Sequence, residues 1–160
     1  MSTSSGKVSI QGDTARGGKV YLFLLIAHIG AAIVFIGPAT FASSAFTRYA
    51  APGTHEVAGA LHAATRMYSR ATLVVPVVGI ALAALRGLFT QGWLLAALAM
   101  FVVAMALLDG VVVPAQARAL DVLRTGADIP APLKTRLRLG AGFFALSWLV
   151  ILILMVTKPF

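Results

Sequence analysis

His28, in LLIAHIGAAIVFIGP, places an imidazole inside an uncharged apolar run. A neutral imidazole at such a position can ligate haem iron or copper, or it can hydrogen-bond a neighbouring helix, and the residues leave both readings open. His55 and His62 make poor second ligands. They precede the next apolar block at its far side, an axial gap on the order of 18 Å from His28. Met100 lies about seven residues into the third apolar block, much as His28 lies about eight into the first, so the two share a depth. A His28/Met100 pair would suit haem b or copper, while Met100 equally reads as ordinary span filling.

Asp109, in MALLDGVVVP, is the single carboxylate inside an apolar block. Near the centre of a bilayer such a group costs about 2.5 to 3.5 kcal/mol, so it needs a partner or a proton. Reflecting the chain about residues 90 and 91 sets Asp109 level with about residue 72, within one helical turn of Arg70. An Asp109–Arg70 ion pair that locks two helices near the cytoplasmic interface is therefore expected. Proton or ion handling by Asp109, or an unpaired interfacial carboxylate, are the alternatives. No catalytic residues are assigned: there is no glycine-rich phosphate loop, no paired carboxylates, no HExxH and no nucleophile elbow.

The elements that must position these groups follow from composition. Of 160 residues 59% are hydrophobic and 11% charged, whereas a soluble domain runs near a quarter charged, so lipid is the solvent for most of the chain. Thirteen Lys and Arg against five Asp and Glu give a net charge of +8. The cations sit outside the apolar blocks, which fits a lipid bilayer with anionic headgroups and not nucleic acid. With no cysteine, disulfides and thiolate metal sites are excluded.

Residues 1–19 are Ser/Thr/Gly-rich and are expected to form a disordered tail. The 20–160 segment holds four continuous apolar blocks, at about 20–46, 67–88, 93–116 and 138–157, each near the 20 or so helical residues that cross a bilayer. Continuous rather than alternating apolar runs favour helices over a β-barrel. The expected fold is all-α, a polytopic antiparallel bundle of four transmembrane helices. Four spans put both termini on one side with five cations, and the 44–70 and 114–138 loops on the other with eight, so the positive-inside tendency sets the termini outside.

Pro38, Pro76 and Pro114 predict kinks in three spans. Gly30 with Gly37, Gly79 with Ala83, and Gly140 with Ala141 and Ala145 predict close helix contacts. Trp93 and Tyr68 are expected as interfacial anchors and Trp148 as bundle core.

These residues together carry a resemblance. His28, Gly37, Pro38, Thr40, Ser44 and Phe46 in span one, and His62, Arg66, Tyr68, Val75, Pro76 and Gly79 in span two, fit the pattern of a family of small bacterial four-helix predicted integral membrane proteins of unknown function. Trp93, Leu94, Pro114, Gln116 and Ala119 continue it, as do Arg138, Leu139, Gly142, Phe143, Trp148, Leu154, Met155, Lys158 and Pro159. The resemblance implies an integral membrane protein. More distantly, His28 and the closing Lys-Pro-Phe are similar to J-type protoporphyrinogen oxidases and copper-resistance D proteins, which implies haem or copper. The leading expectation is a multi-pass inner-membrane protein without catalysis, as a homodimer or an accessory subunit of a larger membrane complex. The alternatives are a haem b- or copper-binding protein using His28, and a proton-coupled small-solute carrier using Asp109.

Overall fold

In the computed structural model the backbone is described for residues 6–159 and the side chains for residues 17–159. Span one comprises α1 (Gly6–Ala31), a π-helical stretch Ala32–Ile36 and α2 (Gly37–Tyr49). Span two comprises α3 (His55–Thr72) and α4 (Val74–Arg86). After a 3₁₀ turn at Leu88–Thr90, span three comprises α5 (Gly92–Leu107), a second π-helical stretch Leu108–Val112 and α6 (Val113–Arg124). Span four is α7 (Ala131–Thr157). All four are long and apolar enough to cross a membrane, and no strand occurs among the described residues. The fold is an all-α polytopic bundle.

Prolines explain the breaks. Each π-helical stretch ends two residues before a proline, Pro38 or Pro114, and α3 gives way to α4 at Leu73, three residues before Pro76. A proline supplies no N–H to the carbonyl four residues earlier, here Val34, Thr72 and Gly110, and the widened or interrupted turns accommodate the missing bond.

The helices run past their apolar blocks on the side away from the termini. Their amphipathic ends pack on one another there, around Phe46, Ala58, Ala119, Leu120, Leu123, Ile129 and Leu137. Most of the 44–70 and 114–138 segments is thus helix, with Thr125–Pro130 the connection between α6 and α7. Pro132 fits the first turn of α7, where its missing N–H costs nothing. A second cluster, Ala39, Ala104, Leu108, Val112 and Phe144, lies towards mid-span. Tyr68, expected as an anchor, packs against this cluster instead, because its side of α3 faces the bundle. Trp148 also packs there, edge-on to Phe101 and Phe144 with ring centroids 5.8 and 6.0 Å apart. Trp93 is buried, with the Lys158 ammonium 5.5 Å from its ring centroid.

Gly140 admits Val112: a Cβ on Gly140 would lie 2.8 Å from the valine Cγ2. Gly30 and Gly37, expected to share a close contact, have nothing within 4 Å of such a position. Gly87, at φ +64°, caps α4 and closes the hairpin between spans two and three. Of the expected tail, residues 1–5 lie outside the described residues. Residues 6–19 continue α1 as helix, since each residue added to a formed helix gains a bond without a new nucleus.

Candidate functional site

The α3 helix buries Ala58, Thr65, Ser69 and Thr72, which turns His62, Arg66 and Arg70 onto an adjoining face at four-residue spacing. Across from them the chain carries Asp109, Val113 and Ala117, again four apart, from the π-helical stretch into α6. The two stripes, with Pro114, line one hollow of about 420 Å³. In the π-helical stretch Leu108 and Val112 are fully buried while Asp109 is exposed at the hollow.

The groove lies far along spans two and three from the hairpin that joins them. Arg86, whose guanidinium lies 3.8 Å over the Tyr21 ring, marks the opposite end of span two. Arg70 and Arg66 precede it by sixteen and twenty residues, about 24 and 30 Å at 1.5 Å per residue, against a hydrocarbon thickness of about 30 Å. Asp109 lies sixteen residues from Trp93, about 24 Å by the same rise.

The expected Asp109–Arg70 pair is not made. Ser69 Oγ donates to Asp109 Oδ1 at 2.5 Å, and neither Arg66 nor Arg70 has a nitrogen within 4.0 Å of the carboxylate. The hairpin reflection fixes depth but not rotation. One residue is about 100° around a helix, so the residue that points at Asp109 is Ser69 and not its neighbour. Arg70 shares the hollow without touching the carboxylate.

Behind the groove runs a chain of hydrogen bonds. Thr65 Oγ1 donates to the Leu61 carbonyl at 2.8 Å, so towards Gln116 it can only accept, from Nε2 at 3.3 Å. That orients the Gln116 amide and leaves its Oε1 to accept from His62 Nδ1 at 3.1 Å. His62 is thereby held with Nδ1 protonated and Nε2 free. Thr65 and Gln116 are fully buried. At the helix ends Arg124 Nε donates to His55 Nε2 at 3.2 Å, tying the start of α3 to the end of α6.

Ser69, Thr65 and the structural part played by Gln116 escaped the sequence reading. The available signal was the polar run Thr65, Ser69, Thr72 at helical spacing, opposite the arginines.

His28 has a different setting. Its Nδ1 donates to the Val75 carbonyl at 2.9 Å, and the ring lies over Gly79 on α4. Met100 is on α5, which packs closely on α7, while α1 packs on α4. The structure thus places the two expected ligands in different helix pairs. Towards haem iron or copper the site offers one imidazole nitrogen, Nε2, since Nδ1 is taken by the Val75 carbonyl. No group of three His, Cys, Asp or Glu side chains suited to a metal ion occurs among the described residues.

Residues 22–159 match the family described as predicted integral membrane protein, DUF2269. The chain belongs to DUF2269. The match takes in the apolar part of every span and both stripes of the groove. No curated protein and no solved structure matches the chain.

Proposed function

We propose that this DUF2269 protein is a non-catalytic module of the bacterial inner membrane that holds a ligand in the groove between spans two and three, as a homodimer or as an accessory subunit of a larger assembly. One observation carries the reading: Arg66 and Arg70 share a hollow with Asp109 without pairing with it. The groups behind them are tied down as fixed donors and acceptors, His62 by Gln116 and Asp109 by Ser69, which is the chemistry of binding. Eight of the thirteen cations lie on the groove's side, which favours a groove open to the cytoplasm and termini outside.

The absence of cysteine makes a clean test. Val113→Cys and Ala117→Cys should react with a membrane-impermeant maleimide in inside-out vesicles and not in right-side-out ones. No labelling from either side would overturn the groove as a binding site, and labelling from the outer side would overturn the orientation.

A second reading, a haem b or copper site at His28, draws on one observation. The bond from Nδ1–H to Val75 leaves the Nε2 lone pair free, the arrangement found in histidines that ligate metals.

A further inference from the structure

The hollow between spans two and three gathers charges of both signs that no described residue pairs. Two guanidiniums and one carboxylate line it, yet they stand more than 4.0 Å apart. Ser69 occupies only one carboxylate oxygen, Oδ1. Inorganic phosphate would satisfy Arg66 and Arg70 but meet Asp109 as a like charge. A simple cation would satisfy Asp109 and meet the guanidiniums. A ligand carrying both charges a few ångströms apart satisfies all three at once.

We propose that the hollow takes a phosphate–ammonium headgroup, that of phosphatidylethanolamine, with the phosphate on Arg66 and Arg70 and the ammonium on Asp109. This rests on the reading of the groove as the binding site. Guanidinium forks suit phosphate oxygens, and a primary ammonium supplies three donors to the free carboxylate oxygen. The volume, about 420 Å³, is many times the ~30 Å³ share of one water in the liquid.

The source of that headgroup is indicated by what lies beside it. Counting on from Arg66 and Arg70 at helical spacing, the same face of span two carries Leu73, Val77 and Ile80, exposed at 50%, 65% and 46%. This apolar track leads away from the arginines towards the opposite membrane face, where the acyl chains of a lipid anchored at the hollow must run. A soluble phosphoamine would have no use for it.

The test is native mass spectrometry of the full chain, released from nanodiscs of equal phosphatidylethanolamine and phosphatidylglycerol. A phosphatidylethanolamine adduct should predominate. The double variant Arg66→Gln/Arg70→Gln should lower retention of both lipids about tenfold, the loss expected for charge-assisted hydrogen bonds. Asp109→Asn should abolish the preference for phosphatidylethanolamine while keeping phospholipid binding. Ala117→Leu, which fills the hollow without changing charge, should also lower retention and serves if Asp109→Asn fails to fold. Arg136→Gln/Arg138→Gln, two exposed cations outside the hollow, should change nothing, and an equal loss there would overturn the site in favour of diffuse attraction. Displacement by free phosphoethanolamine at the same concentration would overturn the lipid source. Equal retention of both lipids by the unaltered chain would overturn the zwitterion while leaving the groove, tested separately by cysteine labelling, intact.

Discussion

The His28 ring occupies the space that a side chain on Gly79 would need. A Cβ there would lie 2.9 Å from the imidazole Cε1, and the ring is tethered on its other flank by the Nδ1 bond to the Val75 carbonyl. The glycine, the carbonyl and the imidazole therefore form one contact that joins α1 to α4. It lies near the proline break, where the backbone of span two is already interrupted.

Gly79→Ala should destabilise the protein by about 1–3 kcal/mol, the usual cost of overpacking a close contact. In a His28→Ala background the same change should cost little, because the space is then vacant, so the two substitutions couple strongly in a double-mutant cycle. His28→Ala alone should cost the interhelical hydrogen bond, about 0.6 to 1.7 kcal/mol, plus lost packing. Unfolding in mild detergent measures all three. The same samples separate packing from ligation. Reduced-minus-oxidised visible spectra of the unaltered protein and His28→Ala should superimpose, and a Soret band lost in the variant would establish the haem reading.

Gln116 sets the His62 tautomer. In the unaltered protein, nitrogen–proton correlation spectra of the neutral ring should show His62 protonated at Nδ1, because Oε1 of Gln116 can only accept. Gln116→Leu preserves volume, removes that acceptor and should release His62 into mixed tautomers, at a stability cost near 1 kcal/mol since Thr65 keeps its bond to Leu61. An unchanged tautomer in the variant would mean that something other than Gln116 holds the ring.

The class of fold was legible because lipid imposes so few choices: four uncharged runs of bilayer length admit only helices. The prolines announced the breaks, and hairpin reflection set Asp109 within about one turn of Ser69, the residue it meets. Rotation about the helix axis did not follow from it, since an error of one residue is about 100°, and it exchanged Ser69 for Arg70. The helical ends beyond the apolar blocks have a different origin. Hydropathy marks where lipid ends, whereas Ala119, Leu120, Leu123 and Leu137 continue as helix because they bury one another in water. Gly79 and Gly140 were recognisable as close-contact residues, but their contacts, His28 and Val112, are set by the packing of whole helices.

Trp148 presents a buried indole N–H with no hydrogen-bond partner among the described residues. A buried unpaired donor is costly, so Trp148→Phe should lower stability by less than about 1 kcal/mol, the lost packing being offset by the removed penalty. Trp148→Ala, which empties the space beside Phe101 and Phe144, should cost about 3–5 kcal/mol. Thermal unfolding of the two variants in one detergent compares them. A large loss in Trp148→Phe would show that the indole nitrogen is satisfied in the membrane by a group from outside this chain.

Asp128 gives the α6–α7 connection a pH dependence. The Lys134 ammonium donates to both carboxylate oxygens at 3.0 Å, the Ile129 N–H adds a third bond, and together they hold the Asp128 carboxyl below its ordinary range. A depressed carboxyl contributes stability above its unfolded value and loses it as pH falls through the folded one. The melting temperature of the unaltered protein should therefore exceed that of Asp128→Asn by a small constant amount above the ordinary carboxylate range, and the difference should fall away as acidification protonates Asp128 in the folded protein. Because the pair is exposed, the difference should also shrink in high salt. A gap that widened on acidification would show that protonated Asp128 is the stabilising form, contrary to the Lys134 contact.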